Sequence, residues 1–254
     1  MPSPNTKPIS RWKAAGIHFA ISALIGASVG LMVFGLWFPP PYFAAAGGEH
    51  LMMVLVGVDL VIGPLLTLII FRQGKKGLAF DLWVIGIAQA IALTYGLYVI
   101  SSSRLIFLVA NLDRFIVIAA NQIDDVDLAK GSRPEFQRRS WTGMQLAGAR
   151  IPDEAARQRL IDAAMGSGKD VQNFPEYYVP YADISKDLLK RAQGVEKLAG
   201  KPVVQRAVEA WLADHHRDAK DIVWLPVTAH VTDLTMLLDK ATGEPLQALP
   251  VDPW

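Results

Sequence analysis

Asp59 is the first residue in this chain whose surroundings suggest chemistry. It lies in the apolar run Leu51–Phe71, eight residues from one end and twelve from the other. In a membrane-spanning helix that is close to mid-bilayer, where a charge costs about 2.5–3.5 kcal/mol to insert. Gln89, eleven residues into the run Leu78–Ile100, reaches nearly the same depth if the two helices are antiparallel. An interhelical hydrogen bond between Asp59 and Gln89 is the structural reading. The functional reading is that Asp59, with Gly57, Gly63 and Pro64, shapes a helix face that receives a partner's transmembrane segment, because small residues allow close backbone approach. A proton or ion pathway is a third use, poorly served by one acid on three helices. His18 reads as a snorkelling residue one turn inside the boundary of the first apolar run. Gly26-Ala-Ser-Val-Gly30 matches G-x-x-x-G, which serves internal packing and dimerisation alike.

Elsewhere the chemistry is sparse. Gly166-Ser-Gly-Lys169 lacks the rest of a phosphate loop and follows a helical pattern, not a strand. The neighbours His215 and His216 cannot share a helix face, and H-E-x-x-H is absent. No G-x-S-x-G elbow occurs. The 254 residues contain no cysteine, which removes disulfides, thiolate metal sites and a cysteine nucleophile. We therefore expect no catalytic, cofactor-binding or metal residues, and no enzyme. Lys and Arg form no dense basic stripe, so nucleic acid is set aside as a partner.

The elements that hold these residues divide by composition. Hydrophobic residues make up 52% of the chain, yet residues 1–100 carry only six Lys/Arg and three Asp/Glu. Three apolar runs, about 14–38, 51–71 and 78–100, are each long enough to cross a hydrocarbon core of about 30 Å. Trp12, Trp37, Tyr42, Trp83 and Tyr98 lie near their ends, where amphipathic rings prefer the headgroup zone. Arg11 and Lys13, with Lys7, precede the first run; Arg72, Lys75 and Lys76 lie between the second and third. Basic flanks stay cytoplasmic. The expected order is a cytoplasmic tail (1–13), a three-helix transmembrane domain (14–100) and a periplasmic domain (101–254). A cleaved signal ending near Ala44-Ala45-Ala46 is the competing reading of the first run.

In the remainder, Leu105–Ala110 and Arg114–Ala119 read as a hairpin with Asp113-Arg114 at its turn. Asp153–Met165, Ile184–Leu198 and Val203–Leu212 read as helices, and Ile222–Val227, Leu234–Leu238 and Pro245–Leu249 as strands. The fold class expected is a membrane protein with three transmembrane α-helices followed by a small α+β soluble domain.

Several stretches resemble the type IV pilin accessory proteins of the TfpX/TfpZ kind. They are Arg11-Trp-Lys-Ala-Ala-Gly-Ile-His18, Trp37-Phe-Pro-Pro-Pro-Tyr-Phe-Ala-Ala-Ala-Gly-Gly48, Gly57-Val-Asp-Leu-Val-Ile-Gly-Pro-Leu-Leu-Thr67, Phe107-Leu-Val-Ala-Asn-Leu-Asp-Arg-Phe115 and Leu237-Leu-Asp-Lys-Ala-Thr-Gly-Glu-Pro245. The pair Lys75-Lys76 and the ending Asp252-Pro-Trp254 are similar too; residues 120–220 carry no distinctive match. The resemblance implies a bacterial inner-membrane protein that is chaperone-like towards a cognate major type IV pilin. Its partners would then be that pilin, the lipid bilayer and the pilus assembly machinery. It also implies that Asp59, Gly57, Gly63 and Pro64 shape an intramembrane contact, with Asp113 and Arg114 meeting the pilin head. A membrane-anchored sensor or signalling subunit and an integral membrane enzyme are the rival classes.

Overall fold

A computed structural model describes residues 9–198 and 200–254, the side chains of residues 50, 51, 54 and 55 excepted. Lys7 and most of the expected 1–13 tail lie outside the described residues. The chain forms two compact units: one comprises residues up to Gly35 with Gly48–Ser101, the other Leu36–Gly47 with Ser102–Trp254.

In the first unit, α1 (Arg11–Met32) starts at Ser10, whose hydroxyl accepts from the Lys13 amide at 3.2 Å. It runs on through a wider π turn, Val33–Trp37. After the short α2 (Tyr42–Ala45), which belongs to the second unit, come α3 (Gly48–Gly57), a second π turn (Val58–Ile62), α4 (Gly63–Ile70) and α5 (Leu78–Ser102). Among the described residues only Arg11–Trp37 and α5 are long and apolar enough to cross a membrane. This corrects the expectation of three spans. The run Leu51–Phe71 is apolar apart from Asp59 and Thr67, and the apolar helix described within it, Val58–Ile70, falls among those of 10–17 residues. Such lengths reach roughly 15–26 Å, short of the hydrocarbon thickness. The π turn lies just before Gly63 and Pro64: proline has no N–H and its ring crowds the preceding turn, so the hydrogen-bond ladder widens there. With three crossings withdrawn, counting crossings no longer places residues 101–254 on the far side.

The second unit is built on one mixed sheet of eight strands, larger than the small α+β domain expected. The hairpin of β1 (Leu105–Asn111) and β2 (Arg114–Ala119) turns at Leu112-Asp113. Beyond α6 (Asp125–Ala129), β3 (Gln145–Ala149) pairs parallel to β1. Then follow α7 (Glu154–Ser167), β4 (Tyr178–Pro180), α8 (Ser185–Leu189), β5 (Gln193–Gly194) and α9 (Pro202–Asp214). The strands β6 (Ile222–Thr228), β7 (Leu234–Asp239) and β8 (Pro245–Leu249) close the sheet in the order β4-β3-β1-β2-β6-β7-β8. One edge of β6 is shared: β5 pairs at Val223 and Trp224, β2 at Val227 and Thr228, and Pro226, with no N–H to give, falls in the break between them.

β1 and β6 are buried on both faces, as their unbroken apolar sequences require of central strands. Phe107, Phe136 and Tyr178 meet edge to face and join Ala156 and Leu160 of α7 in one core; Val204, Val208 and Trp211 of α9 pack with Trp224, Leu237 and Leu249 in another. The expected helix Ile184–Leu198 is instead α8, β5 and single helical turns. Gly148 of β3 explains part of this: a Cβ there would lie 2.5 Å from Ile184, so the glycine gives that side chain its seat.

Leu36–Gly47 is a clasp inside this unit. Trp37, Phe38, Tyr42 and Ala45 are buried, the Ala45 carbonyl accepts from the Val231 amide at 2.9 Å, and Trp37 lies 6.0 Å from Trp141. Trp37 and Tyr42, expected among headgroups, are therefore packed in protein, and Ala44 and Ala45 lie in a helical turn with Ala45 buried.

At the β7–β8 turn, Asp239 Oδ1 accepts from the amides of Ala241 and Thr242 at 3.0 Å each, and Oδ2 from Arg217 at 3.0 Å. The Thr242 amide, with Ala241, the Thr242 hydroxyl and Arg217, holds the Asp239 carboxyl below its ordinary pKa. A depressed folded pKa stabilises above the unfolded value near 4 and loses that contribution as pH falls through the folded value. Asp239→Asn should lower the thermal stability of the detergent-solubilised protein by about 1 kcal/mol at pH 7. The gap to the native chain should close below pH 3; a gap unchanged between pH 7 and pH 3 would contradict this.

Candidate functional site

Lipid supplies no hydrogen bonds, so a polar atom among apolar helices must find its partner in the protein. In a π turn each carbonyl looks five residues ahead for its donor. Five residues after Asp59 stands Pro64, which has none. The missing donor comes from α5: Gln89 Nε2 donates to the Asp59 carbonyl at 3.2 Å. The contact requires Gly63, since a Cβ there would lie 2.0 Å from that nitrogen.

Fixing the amide nitrogen turns Gln89 Oε1 towards His18 of α1, whose Nε2 is 2.6 Å away. The oxygen only accepts, so His18 carries its hydrogen on Nε2. The other ring nitrogen, Nδ1, is 2.6 Å from Thr67 Oγ1 of α4, and Thr67 is buried. His18 thus faces inward instead of snorkelling, and the cluster ties α1, α4 and α5 at one point.

The carboxylate of Asp59 is left over. Among the described residues its Oδ1 is buried without a hydrogen-bond partner. It opens on a narrow cleft walled by Ser22 and Gly26 of α1, Leu60, and Leu93 of α5. A Cβ at Gly26, Gly30 or Gly57 would meet nothing within 4 Å, so this face is not consumed by packing inside the chain. The G-x-x-x-G motif therefore leaves room beside an acceptor atom. What the arrangement can do is accept a donor or a cation from outside; among the described residues no group of three His, Asp or Glu is placed to hold a metal ion.

The structure brings Asp59, Gly63, Pro64 and Gln89 into this cluster and sets Gly57 at its flank. It adds His18 and Thr67, which sequence reasoning left out although each is a polar residue in an apolar run. Asp113 and Arg114 lie in the other unit, at the exposed β1–β2 turn, as an ion pair of 2.9 Å. Hydrogen bonding to Asp113 raises the Arg114 pKa. Leu112 beside them takes a left-handed φ of 52° with its side chain in solvent, a conformation rare for a residue with a Cβ. Arg11 and Lys13 are exposed in the first turn of α1; Arg72, Lys75 and Lys76 are exposed before α5, where Lys75 pairs with Asp81 at 2.5 Å.

The family model of the fimbrial assembly protein FimB matches residues 7–47, a stretch made of α1 and the clasp. A fimbrial assembly protein of Dichelobacter nodosus, serogroups C1 and C2, is 33% identical over 113 residues, 86% of its own length and 44% of this chain. The chain belongs to the fimbrial assembly protein family. Two longer members from the same organism, those of serogroups I and E1, are 29% and 27% identical over 235 residues, 90% of each chain. No solved structure matches. Membership agrees with the resemblance to pilin accessory proteins, and the two apolar helices make this member membrane-associated.

If the Gly63–Gln89 contact serves the Asp59 carbonyl, Gly63→Ala and Gln89→Leu injure the same bond. Each should lower stability in detergent by roughly 1 kcal/mol, and the double variant should cost little more than either. Fully additive losses would contradict the shared contact.

Proposed function

We propose that this protein is a chaperone-like, non-enzymatic accessory of the bacterial inner membrane that binds a cognate major type IV pilin and modulates its stability, assembly or pilus dynamics. The observation that carries this reading is the Asp59 cleft: an acceptor without a partner, beside glycines whose faces are open, on helices apolar enough for lipid. A surface of that kind suits the apolar helix of another membrane protein, provided the helix brings a hydrogen-bond donor to the same depth. The relatives named as fimbrial assembly proteins supply the context. A pilin subunit before assembly has an apolar helix in the membrane and a globular head outside it. The cleft receives the helix, and the sheet unit meets the head at Asp113 and Arg114.

The side of the membrane follows from α1 alone. Its basic start, Arg11 and Lys13, favours the cytoplasm. The clasp that follows its far end is built into the sheet unit, which supports a periplasmic position for that unit. A single cysteine introduced at Met165, exposed on α7 of a chain with none, should react with an impermeant maleimide from the periplasm of intact cells; labelling only after lysis would reverse the orientation.

Mild-detergent capture of the tagged protein from its native membranes should recover a major pilin. Asp59→Leu, expressed to the same level, should reduce recovery roughly tenfold, equivalent to about 1.4 kcal/mol. Unchanged recovery with Asp59→Leu would remove the intramembrane contact, and absence of pilin from the native capture would remove the reading as a whole.

A further inference from the structure

Trp141 is 61% exposed, yet its loop is held firmly. Arg139 fastens that loop to the body of the sheet unit, donating to the carbonyls of Ala120 at 3.0 Å and Ile123 at 2.6 Å and to the Asp125 carboxylate. The Thr142 amide donates to Ser140 Oγ at 3.2 Å, and Gly143 turns the chain with a φ of 105°. The Arg104 guanidinium lies 4.0 Å above the Trp141 ring while its Nε donates to the Ser140 carbonyl at 3.0 Å, and Trp37 packs beside the ring. So the backbone is fixed and the indole is propped from beneath, with its remaining surface turned outward. Arg138, next to this loop, is exposed.

Chain continuity says what lies near that surface. Trp37 is the last residue of the apolar helix Arg11–Trp37, and Arg104 follows the last residue of α5, Ser102, by two positions. Trp141 touches both. A helix that spans a bilayer and stops at Trp37 sets that residue at the water boundary. The loop is thus anchored to the residue that ends this apolar helix. Indole rings partition to the headgroup zone, with the apolar body towards the acyl chains and the N–H towards water, and exposed arginine adds attraction to anionic headgroups.

We propose that residues 138–144 form a membrane-surface foot, with Trp141 seated among lipid headgroups and Arg138 attracting anionic lipid. It rests on α1 crossing the membrane and not on the pilin reading.

The absence of cysteine permits a direct test on the full-length protein. Thr142→Cys, which is exposed and adjacent to the indole, is labelled with an environment-sensitive fluorophore and reconstituted into phosphatidylcholine–phosphatidylglycerol vesicles containing headgroup-spin-labelled lipid. Met165→Cys serves as an exposed reference, and Leu24→Cys, exposed on α1, reports insertion through acyl-chain spin label. The foot predicts several-fold stronger headgroup quenching at Thr142 than at Met165, weakened by Trp141→Ser in the same background. Quenching at Thr142 no greater than at Met165 overturns it. So does a blue-shifted but unquenched Thr142 label, which would mean that protein covers the loop, and so does an unquenched Leu24 label, which would remove the span the foot stands on.

Discussion

A main-chain carbonyl that loses its π-turn donor to a proline is the constraint around which the membrane unit is arranged. Pro64 deprives Asp59 of the N–H that a π turn would offer, and nothing in lipid can replace it. Gln89 does so, at 3.2 Å, and the rest follows in order. The amide needs Gly63 to be small; its oxygen then fixes the His18 tautomer; His18 in turn holds Thr67. Three polar side chains on apolar helices, Gln89, His18 and Thr67, are accounted for by one missing hydrogen. The Asp59 carboxylate is not, which is why it carries the functional proposal while its own backbone carries the structural one.

The second constraint is connectivity. The clasp leaves α1, packs into the sheet unit and returns to α3 before the chain enters the sheet unit for good after α5. Removing it would cost the sheet unit the buried Trp37, Phe38, Tyr42 and Ala45, so the family stretch that ends at residue 47 comprises a membrane helix and a piece of the other unit's core. The match is short in sequence but joins both halves of the molecule along the chain.

Much of this was legible in the residues, and the exceptions share a cause. α1, α5, α7, α9 and the strands β1, β2, β6, β7 and β8 follow from local periodicity and apolar runs bounded by glycine, proline or polar turns. The middle span failed on length: the run was read over Leu51–Phe71, whereas the apolar helix described there is Val58–Ile70, and the π turn before Gly63-Pro64 leaves no mark in an apolar pattern. β3, β4 and β5 are short, and Gln-Leu-Ala-Gly-Ala has little strand propensity of its own: pairing with β1, distant in sequence, makes it a strand. Matching the depth of Asp59 and Gln89 led to the correct two residues, but the accepting atom is the carbonyl, which cannot be known without the π turn. His18 was taken for a boundary residue because its partners, Thr67 and Gln89, are 49 and 71 residues away.

The central claim is that Gln89 stands in for the hydrogen that Pro64 lacks. The direct measurement is a double-mutant cycle on stability in detergent, comparing Gln89→Leu in the native chain and in a Pro64→Ala background, where position 64 has an N–H to offer. The account predicts a smaller loss from Gln89→Leu once Pro64 is replaced, with a coupling on the order of 0.5–1.5 kcal/mol. Equal losses in the two backgrounds would mean that the Asp59 carbonyl does not depend on Gln89, and the cluster would need another explanation.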